Sequence, residues 1–183
     1  MKKSLLQSII AIPLVLLLCF FPGCQQQQQE DVSLTEEEVK ALADKVLEIW
    51  NEGNLALIEE IYSPEIVVHS SSSPEDMVGF EGVSGWVTIT RTAFPDFLMT
   101  FDEIIVKGDK LITRWTSTGT HTGIFQMPFG ELPPTDMPIK VSGLAIDEIE
   151  NGKFVDELVV FNVLEMLQQL GFTLVPPQPP EEM

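Results

Sequence analysis

The sequence predicts an α+β fold in which helices of the N-terminal half pack against a mostly antiparallel sheet from the C-terminal half. Three observations lead to this fold class. Apolar residues recur at helical spacing from Val39 to Trp50, apolar and polar residues alternate from Leu111 to Thr118, and Asn151-Gly152 joins two strand-like segments. An Asn-Gly pair between alternating segments is the strongest short hairpin signal. A sheet that curves over helices forms a concave surface, which predicts a binding site there.

The helices before the sheet are predicted from caps and periodicity. Ser33 or Thr35 can cap the first helix, because each is followed three residues later by a glutamate, and Gly53 ends it. A second helix is expected from Asn54 to Pro64, followed by a short strand. The segment Gly79–Pro95 has apolar residues at helical spacing but also a β-branched run that favours a strand. Its residues alone leave both structures open.

Two strand pairs and a final helix are predicted after this segment: Leu98–Val106 with Leu111–Thr120, Val141–Glu150 with Lys153–Phe161, and the helix Asn162–Leu170. Successive residues of a strand point to opposite faces, so Arg114 and Trp115 cannot both line the concave side. The alternation does not determine which of them does. A buried Arg114 would need a carboxylate partner, for which Asp156 and Glu157 are the candidates.

Three features near the concave side carry the chemistry. Asp156 and Glu157 lie on opposite faces of the last strand, and each is the single acid on an otherwise apolar face. One of them should therefore be desolvated, which raises the pKa of its carboxyl group. His121, between Gly119 and Gly123, is predicted either at the pocket rim as acid, base or donor, or as a structural loop residue. The proline-rich segment 126–138 is expected to form a stiff loop that shapes an entrance.

The N-terminus has the pattern of an exported lipoprotein. Lys2 and Lys3 precede an apolar run, and Phe21-Pro22-Gly23-Cys24 resembles a lipobox. We predict a signal peptide over 1–23, a lipidated Cys24 with a Gln-rich tether over 24–34, a globular domain over 35–172 and a Pro/Glu-rich tail over 173–183. Phe21 and Pro22 depart from the usual lipobox, so an ordinary cleaved signal or an uncleaved anchor is the alternative. The expected location is the bacterial cell envelope, anchored to a membrane.

Charge and cysteine usage exclude several classes of function. The chain carries 10 Lys and Arg against 28 Asp and Glu, a net charge of −18, and loss of Lys2 and Lys3 with the signal peptide would make it about −20. Such a surface repels phosphate backbones, so nucleic-acid binding is not expected. Beyond Cys24 the chain has no cysteine, which excludes disulfides, thiol catalysis and cysteine-ligated zinc in the domain. No calcium-loop pattern is present, and we expect neither a metal nor a cofactor.

Several motifs together resemble one family. Segments Asn54–His69, Ala93–Asp96 (AFPD), Arg114–Gly123 (RWTSTGTHTG), Glu131–Pro138 (ELPPTDMP) and Asn151–Gly171 follow one another in the order found in SnoaL-like polyketide cyclases, also called ester cyclases. The resemblance covers Leu55 to Gly171. It implies the cone-shaped α+β barrel of the nuclear-transport-factor-2-like fold, with a curved sheet over N-terminal helices. It also implies that Gly79–Pro95 is a helix.

The resemblance implies a chemistry from which this chain departs. In the family's cyclases, a carboxylic acid at the pocket base drives an aldol-type ring closure without metal or cofactor, and the extended substrate delocalises the enolate. Matched through the Asn-Gly turn, the family's catalytic aspartate falls on Asn162 and its companion histidine on Glu157. An amide such as Asn162 does not titrate, so it cannot replace the aspartate as acid or base.

Three functions remain open from the sequence. The protein binds a small apolar molecule in its cavity; or Glu157 has taken over as acid/base, with His121 and Asn162 as hydrogen-bond donors; or the domain is a dimerising interaction module whose cavity is filled by side chains. An enzyme requires Glu157 to face the cavity within reach of His121 or Asn162. The residues expected to contact a ligand are His69, Trp86, Arg114, Trp115 and Asp156.

Overall fold

The computed structural model describes residues 34–175. The predicted signal peptide and Cys24 lie outside these residues. The helical elements are α1 (Glu36–Glu52), a 3₁₀ turn (Leu55–Leu57), α2 (Ile58–Ile61), α3 (Gly79–Ala93) and α4 (Val163–Gln169). The strands are β1 (Tyr62–Ser70), β2 (Met77–Val78), β3 (Leu98–Lys107), β4 (Lys110–Thr120), β5 (Phe125–Met127), β6 (Gly130–Leu132), β7 (Pro138–Glu150) and β8 (Lys153–Phe161). Within the described part, no helix combines the length and apolarity that crossing a membrane requires.

Six strands form one curved sheet in the order β2-β1-β8-β7-β4-β3, and β5 and β6 form a separate hairpin. Among the strand pairs of residues 34–175, the β1–β8 pair is parallel and the others are antiparallel. The helices α1 and α3 contribute to the core that covers one face of this sheet. The predicted α+β architecture, with its mostly antiparallel sheet, is confirmed.

Local capping explains where α1 begins and ends. Thr35 and Glu38 form a capping box, in which the Glu38 amide donates to Thr35 Oγ1 (3.2 Å) and the Thr35 amide donates to Glu38 Oε2 (2.8 Å). Gly53 ends the helix with a left-handed φ of 76°. The Arg91 guanidinium then donates to two carbonyl oxygens of the last turn of α1, at 2.9 and 2.6 Å. Thus Arg91 of α3 caps a neighbouring helix rather than its own.

The segment after α2 differs from the prediction. A helix was expected to continue to Pro64, but the chain leaves the helix after Ile61 and β1 begins at Tyr62. Pro64 is tolerated inside β1 because the register with β8 shifts between Tyr62 and Val67, and proline is accommodated where ladder hydrogen bonds are interrupted. As a result Tyr62 belongs to the sheet and pairs with Phe154 of β8.

A β-bulge in β8 decides which acid faces inward. The hairpin turns at Asn151 and Gly152 with φ of 52° and 77°, as predicted. Ile149 then pairs with Phe154 and Glu148 with Asp156, so Val155 is the extra residue. An extra residue inverts the alternation that follows it. Phe154 and Glu157, which strict alternation places on opposite faces, therefore lie on the same face.

Candidate functional site

A cavity of about 520 Å³ lies between the helices and the inner face of the sheet. Its walls are mainly apolar, with Trp50 and Trp86 from the helices and Trp115 from the sheet. Trp50 and Trp86 pack edge to face, with ring centroids 5.0 Å apart. The hairpin β5–β6 occupies the first part of the segment predicted to be a stiff loop, and Phe125 to Pro128 contribute to the lining. The side chains of the described residues leave this volume open, whereas the interaction-module alternative expects them to fill it.

The structure shows that Trp115, and not Arg114, is on the face of β4 that lines the cavity. Leu111, Thr113, Trp115 and Ser117 are buried and line the cavity. Arg114 lies on the outer face, half-exposed, with its guanidinium 3.1 Å from Asp102 Oδ2 and 3.4 Å from Glu103 Oε2. The structure thus corrects both expectations about Arg114: it is not at the cavity, and its partners are not Asp156 and Glu157.

Trp115 lies against the backbone of β7 because the residue opposite it is a glycine. Gly143 pairs with Trp115 in the register of the sheet. A Cβ atom at Gly143 would lie 2.4 Å from Trp115 Cζ2 and 2.7 Å from the Val160 carbonyl oxygen. Glycine within a strand often marks such a close approach. The indole therefore forms part of the cavity floor, next to Phe161 (5.9 Å between ring centroids).

Two carboxyl groups face the cavity side by side. Glu157 of β8 pairs directly with Asp147 of β7, and both line the cavity. Residues directly opposite in an antiparallel pair project to the same face, with Cα atoms about 4.5–5.5 Å apart. Among residues 34–175, neither side chain makes a hydrogen bond or ion pair with the protein. No lysine, arginine or histidine is among the described residues that line the cavity.

Burial without a cation raises the pKa of both acids. Desolvation, with a smaller contribution from the Asp156 charge, raises the pKa of Glu157 from 4.5 to about 7. Desolvation and then the Glu157 charge raise the pKa of Asp147 well above its ordinary value. Glu157 therefore ionises first, and its charge keeps the proton on Asp147. Between the two ionisations, the pair holds one proton and one negative charge.

Tyr62 completes this polar end of the cavity. It is buried, packs against Phe154 with ring centroids 5.2 Å apart, and lines the cavity. Its pKa is raised by burial first and then by the charges of Glu157 and Asp147, so the hydroxyl keeps its proton near these two acids. Within residues 34–175 the hydroxyl has no hydrogen-bond partner. Tyr62 is separated from the buried Ile66 and Val68 by even numbers of residues along β1, so its side chain lies on the same inner face.

His121 is fully buried but does not line the cavity. Its Nδ1 lies 3.3 Å from the Thr135 amide and 3.0 Å from Thr135 Oγ1, so it accepts a hydrogen bond and the ring proton is on Nε2. The ring packs between Phe94 and Phe125, at 5.3 and 6.1 Å between centroids. Burial lowers the pKa of His121. Of its two predicted settings, the structure shows the one within a loop.

Asn162 and His69 also lie away from the cavity lining. Asn162 caps α4, its Oδ1 accepting from the Glu165 amide at 3.0 Å. His69 is part of a surface cluster in which Nδ1 is 2.7 Å from Asp76 and Nε2 is 3.2 Å from Asp156. The hydrogen bond to Asp76, followed by the interactions with Asp156, raises the pKa of His69.

Of the predicted site residues, the structure brings Glu157, Trp86 and Trp115 together at the cavity, and it places His69, Arg114, His121, Asp156 and Asn162 elsewhere. Asp147 and Tyr62 were not predicted. The signal for Asp147 was present, since it is the one acid on the face of β7 that carries Val141, Ala145 and Ile149. Tyr62 had no comparable signal. No three His, Cys, Asp or Glu side chains among the described residues form a possible metal site.

Comparison with known proteins gives a consistent result. A family model described as SnoaL-like polyketide cyclase matches residues 40–170. TsrD from Streptomyces laurentii is similar in structure, with a TM-score of 0.66 and 25% identity over 75% of this chain and 98% of TsrD. IdmH, a candidate polyketide cyclase from Streptomyces antibioticus, has a TM-score of 0.61 and 27% identity over 73% of this chain and 98% of IdmH.

A third similar structure carries a different activity in its name. AclR from Streptomyces galilaeus, a candidate hydroxylase, has a TM-score of 0.63 and 27% identity over 75% of this chain and 98% of AclR. No protein of curated function matches the chain. Because one fold supports different reactions, the function of this chain has to be argued from its own cavity.

Proposed function

Because the chain belongs to the SnoaL-like polyketide cyclase family, we propose that its cavity binds a small, largely apolar molecule carrying a carbonyl or hydroxyl oxygen. One observation carries the proposal: the neighbouring acids Asp147 and Glu157 face an apolar cavity and have no protein partner among the described residues. Their oxygens open into the cavity and are not sealed by protein atoms. A ligand oxygen there can accept a hydrogen bond from the proton that this pair holds.

A second candidate function is cofactor-free acid–base catalysis with Glu157 in place of the family aspartate. The specific support is the pKa of Glu157, which burial raises to about 7. A group that titrates near the working pH can both take and return a proton. The structure supplies Glu157 with Asp147 and Tyr62 as neighbours, instead of the predicted His121 and Asn162.

Native mass spectrometry tests the binding proposal. Full-length protein purified without organic solvent should carry a co-purifying small molecule, and it should bind added 2-tetralone, an apolar ketone. The variant Ala145→Leu, which adds volume to the cavity lining next to Asp147, should lose both. Ser142→Ala on the outer face of the same strand is the matched control and should keep both. Equal binding by wild type and Ala145→Leu would show that the molecule binds elsewhere.

Turnover of the co-purifying molecule tests the catalytic candidate. Glu157→Gln keeps the size of the side chain but cannot titrate, so it should reduce turnover by roughly 100-fold or more while binding is nearly unchanged. Glu148→Gln, an outer-face acid on the neighbouring strand, is the control. Turnover that survives in Glu157→Gln would show that another group is the acid/base.

The location and assembly of the protein are proposals of their own. We propose export and lipid anchoring through Cys24, which metabolic labelling with a fatty-acid analogue and a Cys24→Ser variant test. We also propose a homodimer through the outer face, where β7 and β8 expose the apolar pairs Leu144–Val160 and Ile146–Leu158. Light scattering should show a dimer that Leu158→Lys converts to a monomer. A wild-type monomer at high concentration would contradict the proposal.

A further inference from the structure

We propose that Gly85 of α3 determines how long a molecule the cavity accepts. Because this position has no side chain, a ligand held at Asp147 and Glu157 can extend past the backbone of α3 and reach solvent between α3 and the β5–β6 hairpin. The inference rests on the proposed function and deepens it, because it assigns a specificity-determining residue and narrows the ligand class. That class is an elongated, largely apolar molecule with its carbonyl or hydroxyl oxygen at one end.

The cavity has a buried end and an exposed end. At the buried end, Asp147 is 6% exposed and has no hydrogen-bond or ion-pair partner among the described residues, and Tyr62 is buried as well. At the other end, the exposed lining residues are Glu81 of α3 and Gln126 and Pro128 of the β5–β6 hairpin. Exposed lining residues on both α3 and the hairpin indicate that the cavity opens to solvent between them.

Gly85 lies in the middle of α3 and lines this cavity. Glu81 and Ile89 precede and follow it by four residues, so all three share one strip of the helix surface, and all three line the cavity. Since Glu81 is exposed, this strip borders the opening. Between two longer side chains, Gly85 presents only backbone to the cavity.

The described part of the protein does not itself require glycine at this position. Glycine is a poor helix former and alanine the best, so a glycine inside a helix needs a packing or functional reason. Gly85 has no positive φ, and a Cβ atom there would have no packing neighbour within 4 Å outside its own stretch of helix. Gly82 is the contrast, because a Cβ atom there would lie 2.9 Å from the Met77 carbonyl carbon.

The space beside Gly85 is therefore available to a ligand. An oxygen held by the acids fixes one end of the molecule at the buried end, and the remaining part follows the apolar walls towards the opening. Trp86, the neighbour of Gly85, also lines the cavity, and its indole offers an apolar face to a flat or unbranched group. A side chain at position 85 would narrow this path, whereas a short molecule at the acids would not contact it.

Two ketones of different length test the inference by calorimetric titration of the full-length protein. The short probe is 2-tetralone, and the long probe is 6-benzyloxy-2-tetralone, which adds a flexible ring at the end away from the carbonyl group. Wild type should bind both. Gly85→Leu should raise the Kd of the long ketone roughly 10-fold or more and that of 2-tetralone less than about twofold, and Gly85→Ala should have a smaller effect in the same direction. Thr88→Leu, on the solvent side of α3, is the matched control and should change neither Kd.

Thermal unfolding gives a second, independent measurement. Because a Cβ atom at position 85 has no packing neighbour that it would displace, Gly85→Ala should raise Tm by about 1–4 °C through helix propensity. Thr88→Ala should also raise Tm but leave binding of the long ketone unchanged. A lower Tm in Gly85→Ala would show that the fold requires this glycine, and would overturn the inference.

The binding outcomes distinguish this inference from the function on which it rests. A wild type that binds neither ketone contradicts the proposed function and the inference with it. A wild type that binds only 2-tetralone, or a Gly85→Leu variant that binds the long ketone as tightly as wild type does, overturns the inference and leaves the proposed function standing. Equal weakening of both ketones also overturns it, because position 85 would then affect the whole cavity. If Gly85→Leu does not fold, Gly85→Ala decides among these outcomes.

Discussion

Acidic residues have different neighbours on the two faces of the sheet. Outside the cavity, five acids on or beside the outer face have a basic partner: Asp102 and Glu103 with Arg114, Asp76 and Asp156 with His69, and Glu148 with Lys110. On the inner face Asp147 and Glu157 have each other and no cation. Acids that water already solvates thus have a basic partner, whereas the acids whose desolvation costs free energy have none. This difference indicates that the inner pair is kept for a ligand and not for stability.

The largest expected effect is a change in how the free energy of unfolding depends on pH. The pKa of Glu157 rises from 4.5 to about 7 on folding, so the folded state holds a proton that the unfolded state has lost. The contribution of Glu157 to the free energy of unfolding is therefore largest below pH 4.5, falls as the pH rises through that window, and is lower by about 3 kcal/mol above pH 7. Glu157→Gln should remove the part of the fall that Glu157 causes, leave the part that the buried Asp147 causes, and be more stable than wild type at pH 8. Urea denaturation at pH 4 and pH 8 measures it.

An outer-face acid is the control for that effect. Glu148→Gln loses only an exposed ion pair with Lys110, which is worth roughly 0.2–1 kcal/mol, and its pH dependence should match that of wild type. A Glu157→Gln variant with the wild-type pH dependence would mean that Glu157 ionises as freely as a surface acid. The contrast between the two faces would then not exist.

The next effect is steric. Gly143→Ala places a methyl group where Trp115 Cζ2 would be 2.4 Å away, so the indole must move into the cavity. Overpacking of this kind costs roughly 1–3 kcal/mol, and the displaced ring should also weaken 2-tetralone binding. Ser142→Ala, the adjacent outward-facing residue, should change neither. Thermal unfolding and calorimetric titration measure both, and unchanged values for Gly143→Ala would show that Trp115 does not form the cavity floor.

The smallest expected effect is that of a charge on the outer face of the sheet on the pKa of an acid on the inner face. Asp156 lies outside, yet its charge contributes to the raised pKa of Glu157. Asp156→Asn should therefore lower the pKa of Glu157 and shift the pH dependence of any Glu157-dependent reaction to more acidic values. Asp76→Asn, which also contacts His69 but is not a source of the Glu157 shift, is the control. An unchanged pH profile in Asp156→Asn would show that the sheet separates its two faces electrostatically.

Local rules in the sequence predicted most of the elements. The capping box at Thr35, the helix end at Gly53 and the turn at Asn151-Gly152 each depend on a few neighbouring residues, and all three are confirmed. The outward position of Arg114 could not be predicted from local rules, because the alternation of β4 fits either orientation. Its position depends on how the whole sheet faces the helices.

The candidate site was only partly predictable, for a specific physical reason. A single extra residue at Val155 inverts the faces of the residues after it, and nothing in the local sequence marks that bulge. Glu157 was identified because it is an acid on an apolar strand face. Asp147 is likewise an acid on an apolar face of β7. Its role in the site depends on Glu157 lying opposite it, and only the strand register of the structure shows this. Tyr62 reaches the cavity through a strand that the sequence indicated to be a helix end.

The most direct test of this account is the ionisation of Glu157 itself. The ¹³C chemical shift of its side-chain carboxyl group, followed by NMR from pH 4 to pH 10, should show a midpoint near 7, as burial of the group requires. The Asp147 carboxyl should stay protonated beyond that midpoint. A Glu157 midpoint between pH 4 and pH 5, like that of an exposed glutamate, would contradict the claim that the inner acids are buried and unpaired.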